Sequence, residues 1–140
     1  MLTGDDYAAI SDLYARYNHL ADGDDPVAYG DCYAEAGCLV SNGRVIGESR
    51  AEIESFRRSV MERPATRRHL SFNLWLEDDG TDRVIGRTYT QSYDISPDGL
   101  QLELTHVGAT EDVVVLFADR QWRFARRELK FDWIAPSWRT

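Results

Sequence analysis

Cysteine is scarce: Cys32 and Cys38 are the only two in 140 residues. They have no CxxC spacing and no neighbouring histidine, so they suggest neither a zinc site nor a disulfide framework. Long apolar runs are missing too. The longest, Val113 to Ala118, falls far short of the roughly 20 residues a membrane-spanning helix needs. Basic residues are outnumbered, 16 Lys and Arg against 24 Asp and Glu, for a formal net charge of -8. Such a chain repels a polyanion on average, so nucleic acid is not the expected partner. The residues after Met1, Leu-Thr-Gly-Asp-Asp, form neither a basic nor an apolar stretch. No signal peptide and no membrane partner are therefore expected, and a reduced cytoplasmic setting fits.

What is present suffices for one core. Hydrophobic residues make up 43% of the chain, and a domain of this size buries roughly 70% of its unfolded surface. No repeat, linker or low-complexity tract divides residues 1–140, so a single domain is expected. Thr3 with Asp6 reads as a capping box. It opens a helix whose apolar stripe is Ile10, Leu13, Tyr14, Tyr17 and Ala21, the spacing of one helical face. Ala21-Asp-Gly-Asp-Asp25 ends it. Pro26 suits the first turn of a second helix, with Asp25 as N-cap, running to about Ala34 and presenting Tyr29, Cys32 and Tyr33.

Residues 38–47 read as a short hairpin, because Asn42-Gly43 supplies the positive φ angles of a type I′ turn. Ser49 and Glu52 suggest a second capping box, opening a helix that stops before Pro64. Beyond it the apolar period falls from about four to two. Extended segments are predicted near 67–77, 83–94, 100–118 and 122–133, separated by Asp78-Asp-Gly, Pro97-Asp-Gly and Asp119-Arg-Gln. The third is long for a strand, and Gly108 near its middle is the predicted bend or bulge. The expected fold class is α+β, a curved antiparallel sheet wrapped with N-terminal helices into a cone around a cavity. Apolar residues fall on both faces of the strands: Leu70, Phe72 and Leu74 against Trp75, and Val113 and Val115 against Val114 and Leu116. Helices cover only one face, so a homodimer or homotrimer is expected.

Several stretches stand in a telling order. They are Ile10-Ser-Asp-Leu-Tyr14 with Tyr17 and Asp22, His69 after an Arg-Arg pair, Gly108-Ala-Thr-Glu-Asp112, and Trp122-Arg-Phe-Ala-Arg-Arg127. With the order of elements, they resemble the SnoaL-like family of the nuclear transport factor 2-like superfamily over nearly the whole chain. Within that family, Asp22 and His69 are spaced like the dyad of hexachlorocyclohexane dehydrochlorinase. The bile-acid 7α-dehydratase and scytalone dehydratase types place an aspartate and a histidine likewise. Tyr17 resembles the tyrosine of the bile-acid dehydratase pattern, and Asp112 and Arg127 fall where the dehydrochlorinase has further polar pocket residues. There are departures. Tyr93-Asp94 stands near the place of the second histidine of scytalone dehydratase, and that enzyme's serine-x-asparagine is missing, which argues against scytalone as substrate. The aspartate-arginine-aspartate of the epoxide-hydrolase branch finds no counterpart. The resemblance implies a metal-free, cofactor-independent lyase of the dehydratase type acting on a small cyclic, largely apolar substrate. An isomerase or cyclase of the steroid or polyketide kind is one alternative, and a ligand-binding domain without chemistry is another.

An imidazole ordinarily titrates near ~6.5, which suits His69 to proton transfer, worth about 10²–10⁴-fold when well positioned. A carboxylate on its other nitrogen would fix the tautomer. The competing reading is a histidine bonded to backbone at a strand start. Asp22 stands at the C-terminal end of a helix, where the macrodipole disfavours an anion by ~0.3–1 kcal/mol. Such breaches of a local rule mark functional sites, although a solvated turn also accounts for this one. Tyr17 offers a phenolic donor to a developing oxyanion, yet it also lies on the apolar stripe as a core tyrosine would. Asp112 opens an apolar strand. Arg127 shares a face with Ala125 and Arg123 by alternation, placing one of them to neutralise Asp112 or to grip an anionic leaving group. Arg126 is the rival if the register differs by one. Tyr14, Tyr33, Trp75 and Tyr93, with Tyr29, Phe56, Phe72 and Tyr89, make an aromatic set fit for a cyclic ligand; an ordinary core accounts for most of them. His19, His69 and His106 lack any metal-ligand spacing, so neither metal nor cofactor is expected. Arg57, Arg58, Arg63, Arg67 and Arg68 read as a solvated basic face.

Overall fold

The computed structural model describes residues 1–61 and 65–139. The predicted helix stop before Pro64 and Arg63 of the basic run lie outside the described residues. Helix α1 spans Gly4–Asp22. Its capping box is complete, with Thr3 Oγ1 accepting from the Asp6 amide and the Asp6 carboxylate accepting from the Thr3 amide at 2.9 Å. Ile10, Leu13, Tyr14 and Tyr17 are buried on one face. Helix α2, Pro26–Asp31, starts where Asp25 Oδ1 accepts from the Ala28 amide at 3.0 Å. It is shorter than predicted. The Cys32 carbonyl is taken by the Phe124 amide at 2.8 Å, which commits the chain to a strand there rather than to another helical turn.

Strands β1 (Tyr33–Ser41) and β2 (Arg44–Gly47) form the hairpin, with φ of 52° at Asn42 and 80° at Gly43. Helix α3, Arg50–Ser59, carries half a capping box. Ser49 Oγ accepts from the Glu52 amide at 3.1 Å, but the Glu52 carboxylate turns to the Glu48 amide at 2.6 Å. A meander follows: β3 (Thr66–Asp78), β4 (Arg83–Ile95), β5 (Leu102–Leu116) and β6 (Trp122–Ile134). These strands pair antiparallel, but β1 lies parallel to β6. The sheet is therefore mixed rather than antiparallel throughout. Its order is β2-β1-β6-β5-β4-β3, and it does not close. The helices pack on its inner face over Tyr33, Val84, Val114 and Phe124, with Ile53 of α3 among them, all 0% exposed. Among the described residues no helix is long and apolar enough to cross a membrane.

Three of the register shifts in the sheet bear on the residues singled out from the sequence. The β5–β6 register shifts at Val107/Gly108, where a Cβ on Gly108 would overlap the Lys130 carbonyl and Phe131 Cα. Only glycine permits that approach. Gly108→Ala is expected to cost about 1–3 kcal/mol of stability through backbone displacement, read from a urea midpoint; a change under roughly 0.5 kcal/mol would place the bend elsewhere. A second shift, between Phe72 and Trp75, passes through Asn73 at a φ of 55° and inserts one residue. It reverses the parity of β3, so Phe72 and Trp75 both lie on the outer face, opposite Tyr89 and Arg87, while Leu76 is buried. A third shift, at Val113/Val114, separates Arg123 from Arg127, which alternation had placed together.

Candidate active site

The C-terminal end of α1 meets β3 at the wall of a cavity of about 690 Å³, lined by Asp22, Tyr29, Arg57, His69, Ser92 and His106 among others. A narrower chamber of about 180 Å³ shares Tyr29, His69 and Thr90 with it and reaches Tyr17 and Arg127. His69 stands at the junction. Its position follows from pairing: His69 faces Ser92 on β4, and Ser92 faces His106 on β5. Three polar side chains thus line one row across the inner face.

Asp22 holds His69 by two groups. Its carboxylate accepts the His69 backbone amide at 3.1 and 3.2 Å, and its Oδ1 lies 2.6 Å from Nδ1. These contacts answer the unfavourable helix-end position of the anion. An ionised carboxylate at Nδ1 makes that nitrogen the donor, which leaves the lone pair of a neutral imidazole on Nε2. Among the described residues no protein group bonds to Nε2, and the His69 side chain is 30% exposed.

Tyr17 lies deeper. Its hydroxyl is 2.5 Å from that of Tyr29 and 3.0 Å from that of Tyr33. Burial first, and the neighbouring Tyr17 second, raise the Tyr29 and Tyr33 phenols well above their usual range, so both stay protonated. The guanidinium of Arg127 sits 4.4 Å above the Tyr17 ring and 4.5 Å above that of Phe124. Arg127 and Asp112 are register partners on β6 and β5. They form a fork of two bonds, 3.0 and 3.1 Å, with Arg127 2% and Asp112 0% exposed. Burial alone would lower the Arg127 pKa, but the Asp112 charge and the ring of phenols reverse the sign and raise it. Asp112 Oδ2 also accepts from Tyr14 at 2.7 Å and from Thr110 at 3.0 Å.

The structure therefore brings Asp22, His69, Tyr17 and Arg127 to one cavity system. The other sequence candidates for substrate contact lie elsewhere. Asp112 is enclosed and spent on Arg127. Tyr14 and Tyr33 are core, 4% and 0% exposed. Trp75 is on the outer face, its ring 4.8 Å from the Arg87 guanidinium, because of the Asn73 bulge. Tyr93 also leaves the cavity, donating to Gln91 Oε1 at 2.7 Å. Sequence reasoning missed Gly86, where a Cβ would strike the Tyr14 hydroxyl; a glycine inside a strand signals such an approach. It dismissed His106, whose Nδ1 lies 3.1 Å from Ser92 Oγ and 2.9 Å from Thr105 Oγ1. Among the described residues no group of three or more His, Cys, Asp or Glu side chains assembles that could hold a metal ion.

The SnoaL-like domain family matches residues 3–128. The chain belongs to that family. Among solved structures it is similar to Rv3472, a protein of unknown function from Mycobacterium tuberculosis, with 26% identity over 95% of this chain and 80% of that one and a TM-score of 0.83. A candidate scytalone dehydratase from Novosphingobium aromaticivorans shares 17% identity over 94% and 87% of the two chains, with a TM-score of 0.82. An NTF2-like protein with a cystatin-like fold from the same organism shares 22% over 95% and 86%, with a TM-score of 0.78. The last two show the fold alone. A comparison with curated protein sequences returns no match.

Proposed function

We propose that this chain is a cofactor-independent lyase of the dehydratase type, acting on a small cyclic, largely apolar substrate held between His69 and Tyr17. The observation that carries the reading is the 2.6 Å contact of Asp22 with His69 Nδ1 beside an open cavity. A pure binder has no need of an imidazole whose tautomer a carboxylate fixes. In the proposed reaction neutral His69 takes a proton from the carbon next to a carbonyl through Nε2. The electron pair moves to the carbonyl oxygen. As it returns, the bond to the β-hydroxyl breaks, the imidazolium gives up its proton, and water leaves. Tyr17 donates to the oxygen that gains charge, while its own oxygen accepts from Tyr29 and Tyr33, which strengthens it as a donor. The test is a panel of cyclic β-hydroxy ketones followed by mass spectrometry. Loss of one water with the wild type and not with His69→Ala is expected. No product from any member would count against a dehydratase.

A second reading, an isomerase or cyclase, is favoured by the presence of His106 in the same cavity. A second imidazole gives a proton taken at one carbon a place to arrive at another. Solvent deuterium entering the ring without loss of water would select it.

We also propose that the outer face is covered by further copies of the chain, in a dimer or trimer. Phe72 is 40% exposed there, and Trp75 and Tyr89, each 60% exposed, line a shallow groove of about 460 Å³. Light scattering at micromolar concentration is expected to give a multiple of the chain mass, and Trp75→Glu with Tyr89→Glu to reduce it. A wild-type monomer would refute this. The thiols of Cys32 and Cys38 are free, which suits the proposed reducing cytoplasm.

A further inference from the structure

The basic run near α3 was expected to be a solvated face, and Arg58 and Arg68 are exposed as such a face requires. Arg58 pairs with Glu54 in the open, and Arg67 pairs with Asp94. Arg57 is different. It is 8% exposed, and among the described residues no carboxylate pairs with it. Its Nη2 donates to the Gly23 carbonyl at 2.5 Å, but its Nε is enclosed and bonded to nothing among the described residues. The guanidinium carbon stands 5.9 Å from the centre of the Tyr29 ring, and the side chain lines the cavity together with His69.

A buried cation normally has its counter-charge beside it, as Arg127 has Asp112. The carboxylates that line the cavity with Arg57 do not fill that place: Asp22 is committed to His69, and Asp24 forms no ion pair with Arg57. The negative end of the α1 dipole, met through the Gly23 carbonyl, answers part of the charge. It leaves the guanidinium without a carboxylate partner among the described residues. We infer that Arg57 is the counter-charge for a carboxylate carried by the cavity's ligand, held while the ligand's ring lies between Tyr29 and His69. This rests on the reading of the cavity as a ligand site. The planar guanidinium fork matches a carboxylate better than an ammonium does. The net charge of -8 repels anions in general, so a preference for one must come from a specific, sheltered cation.

The test compares naphthoate with its neutral isostere naphthamide as probes, by calorimetry near about pH 8, where an ordinary imidazole is neutral. Wild type is expected to bind naphthoate at least ~10-fold more tightly, as a sheltered charge pair allows. Arg57→Gln keeps a donor for the Gly23 carbonyl and removes the charge; it should abolish the preference while naphthamide affinity and melting temperature hold. Arg57→Lys keeps the charge and loses the fork, and should retain a preference reduced several-fold. That variant decides the matter should Arg57→Gln fail to fold, because an unchanged preference in it would exclude the fork. Equal binding of both probes to wild type, or a full preference in Arg57→Gln, overturns the inference and leaves the cavity reading standing. Binding of neither probe overturns both.

Discussion

Asp112→Ala is expected to cost the fold about 3–5 kcal/mol, because Arg127 would stay buried with its charge unanswered. That is a large part of the roughly 5–15 kcal/mol that holds a domain together. The pair is the interior's only fully enclosed ion pair among the described residues, at 0% and 2% exposure, and each partner serves a second group. Asp112 accepts from Tyr14 and Thr110, and Arg127 lies over the Tyr14, Tyr17 and Phe124 rings. Removing the carboxylate therefore frees two hydroxyl donors as well as the cation. Urea unfolding followed by tryptophan fluorescence measures the loss. A value near 1 kcal/mol would mean that another acceptor or water reaches Arg127. The companion variant, Asp112→Val with Arg127→Met, should recover most of the stability, since apolar replacement of a whole buried pair is often neutral.

The helices were legible because their signals are local. Thr3 and Asp6, Asp25 and Pro26, and the Ile10-Leu13-Tyr14-Tyr17 stripe each act within a few residues of themselves, and all took the form their spacing implies. The four long strands were legible to within two or so residues because turn chemistry bounds them. The parallel union of β1 with β6 was not, since pairing between strands so far apart in sequence leaves no periodic trace. Facing was lost wherever one residue is inserted. Alternation counted from His69 assigns Trp75 to the cavity, and Asn73 cancels the count. An asparagine in mid-strand is itself a signal, being among the few residues that tolerate positive φ.

The site was partly legible for a different reason. Nothing in the spacing of 47 residues between Asp22 and His69 requires them to touch; the resemblance to the family suggested it, and the docking of α1 on β3 brings the side chains together. Asp112 and Arg127 were singled out as pocket groups, with Arg127 among the residues placed to neutralise Asp112, and the structure bonds the two to each other inside the fold. Arg57 was hidden by its neighbours. A run of arginines reads as solvated, whereas helical periodicity from Ile53, 0% exposed, places the residue four later on the same buried face.

On the proposed mechanism His69→Ala should remove most of kcat, because no other group at that place both faces the cavity and has its tautomer fixed. Asp22→Asn should leave a folded protein, since an amide oxygen can still accept from the His69 backbone amide. Its loss should be smaller than that of His69→Ala yet ~10²-fold or more, by analogy with triads in which the orienting carboxylate is neutralised and the imidazole adopts the wrong tautomer. Tyr17→Phe should cost about one hydrogen bond, ~1–3 kcal/mol in the barrier, because Tyr29 remains beside the cavity. Activity should fall on acidification, since an imidazolium has no lone pair to accept a proton. The measurements are kcat and its pH profile on whichever cyclic hydroxy ketone turns over. His106→Phe separates the two chemical readings: the lyase loses little, whereas an isomerase that delivers its proton through His106 loses nearly all. Full activity in His69→Ala would end the dyad mechanism, whatever His106 does.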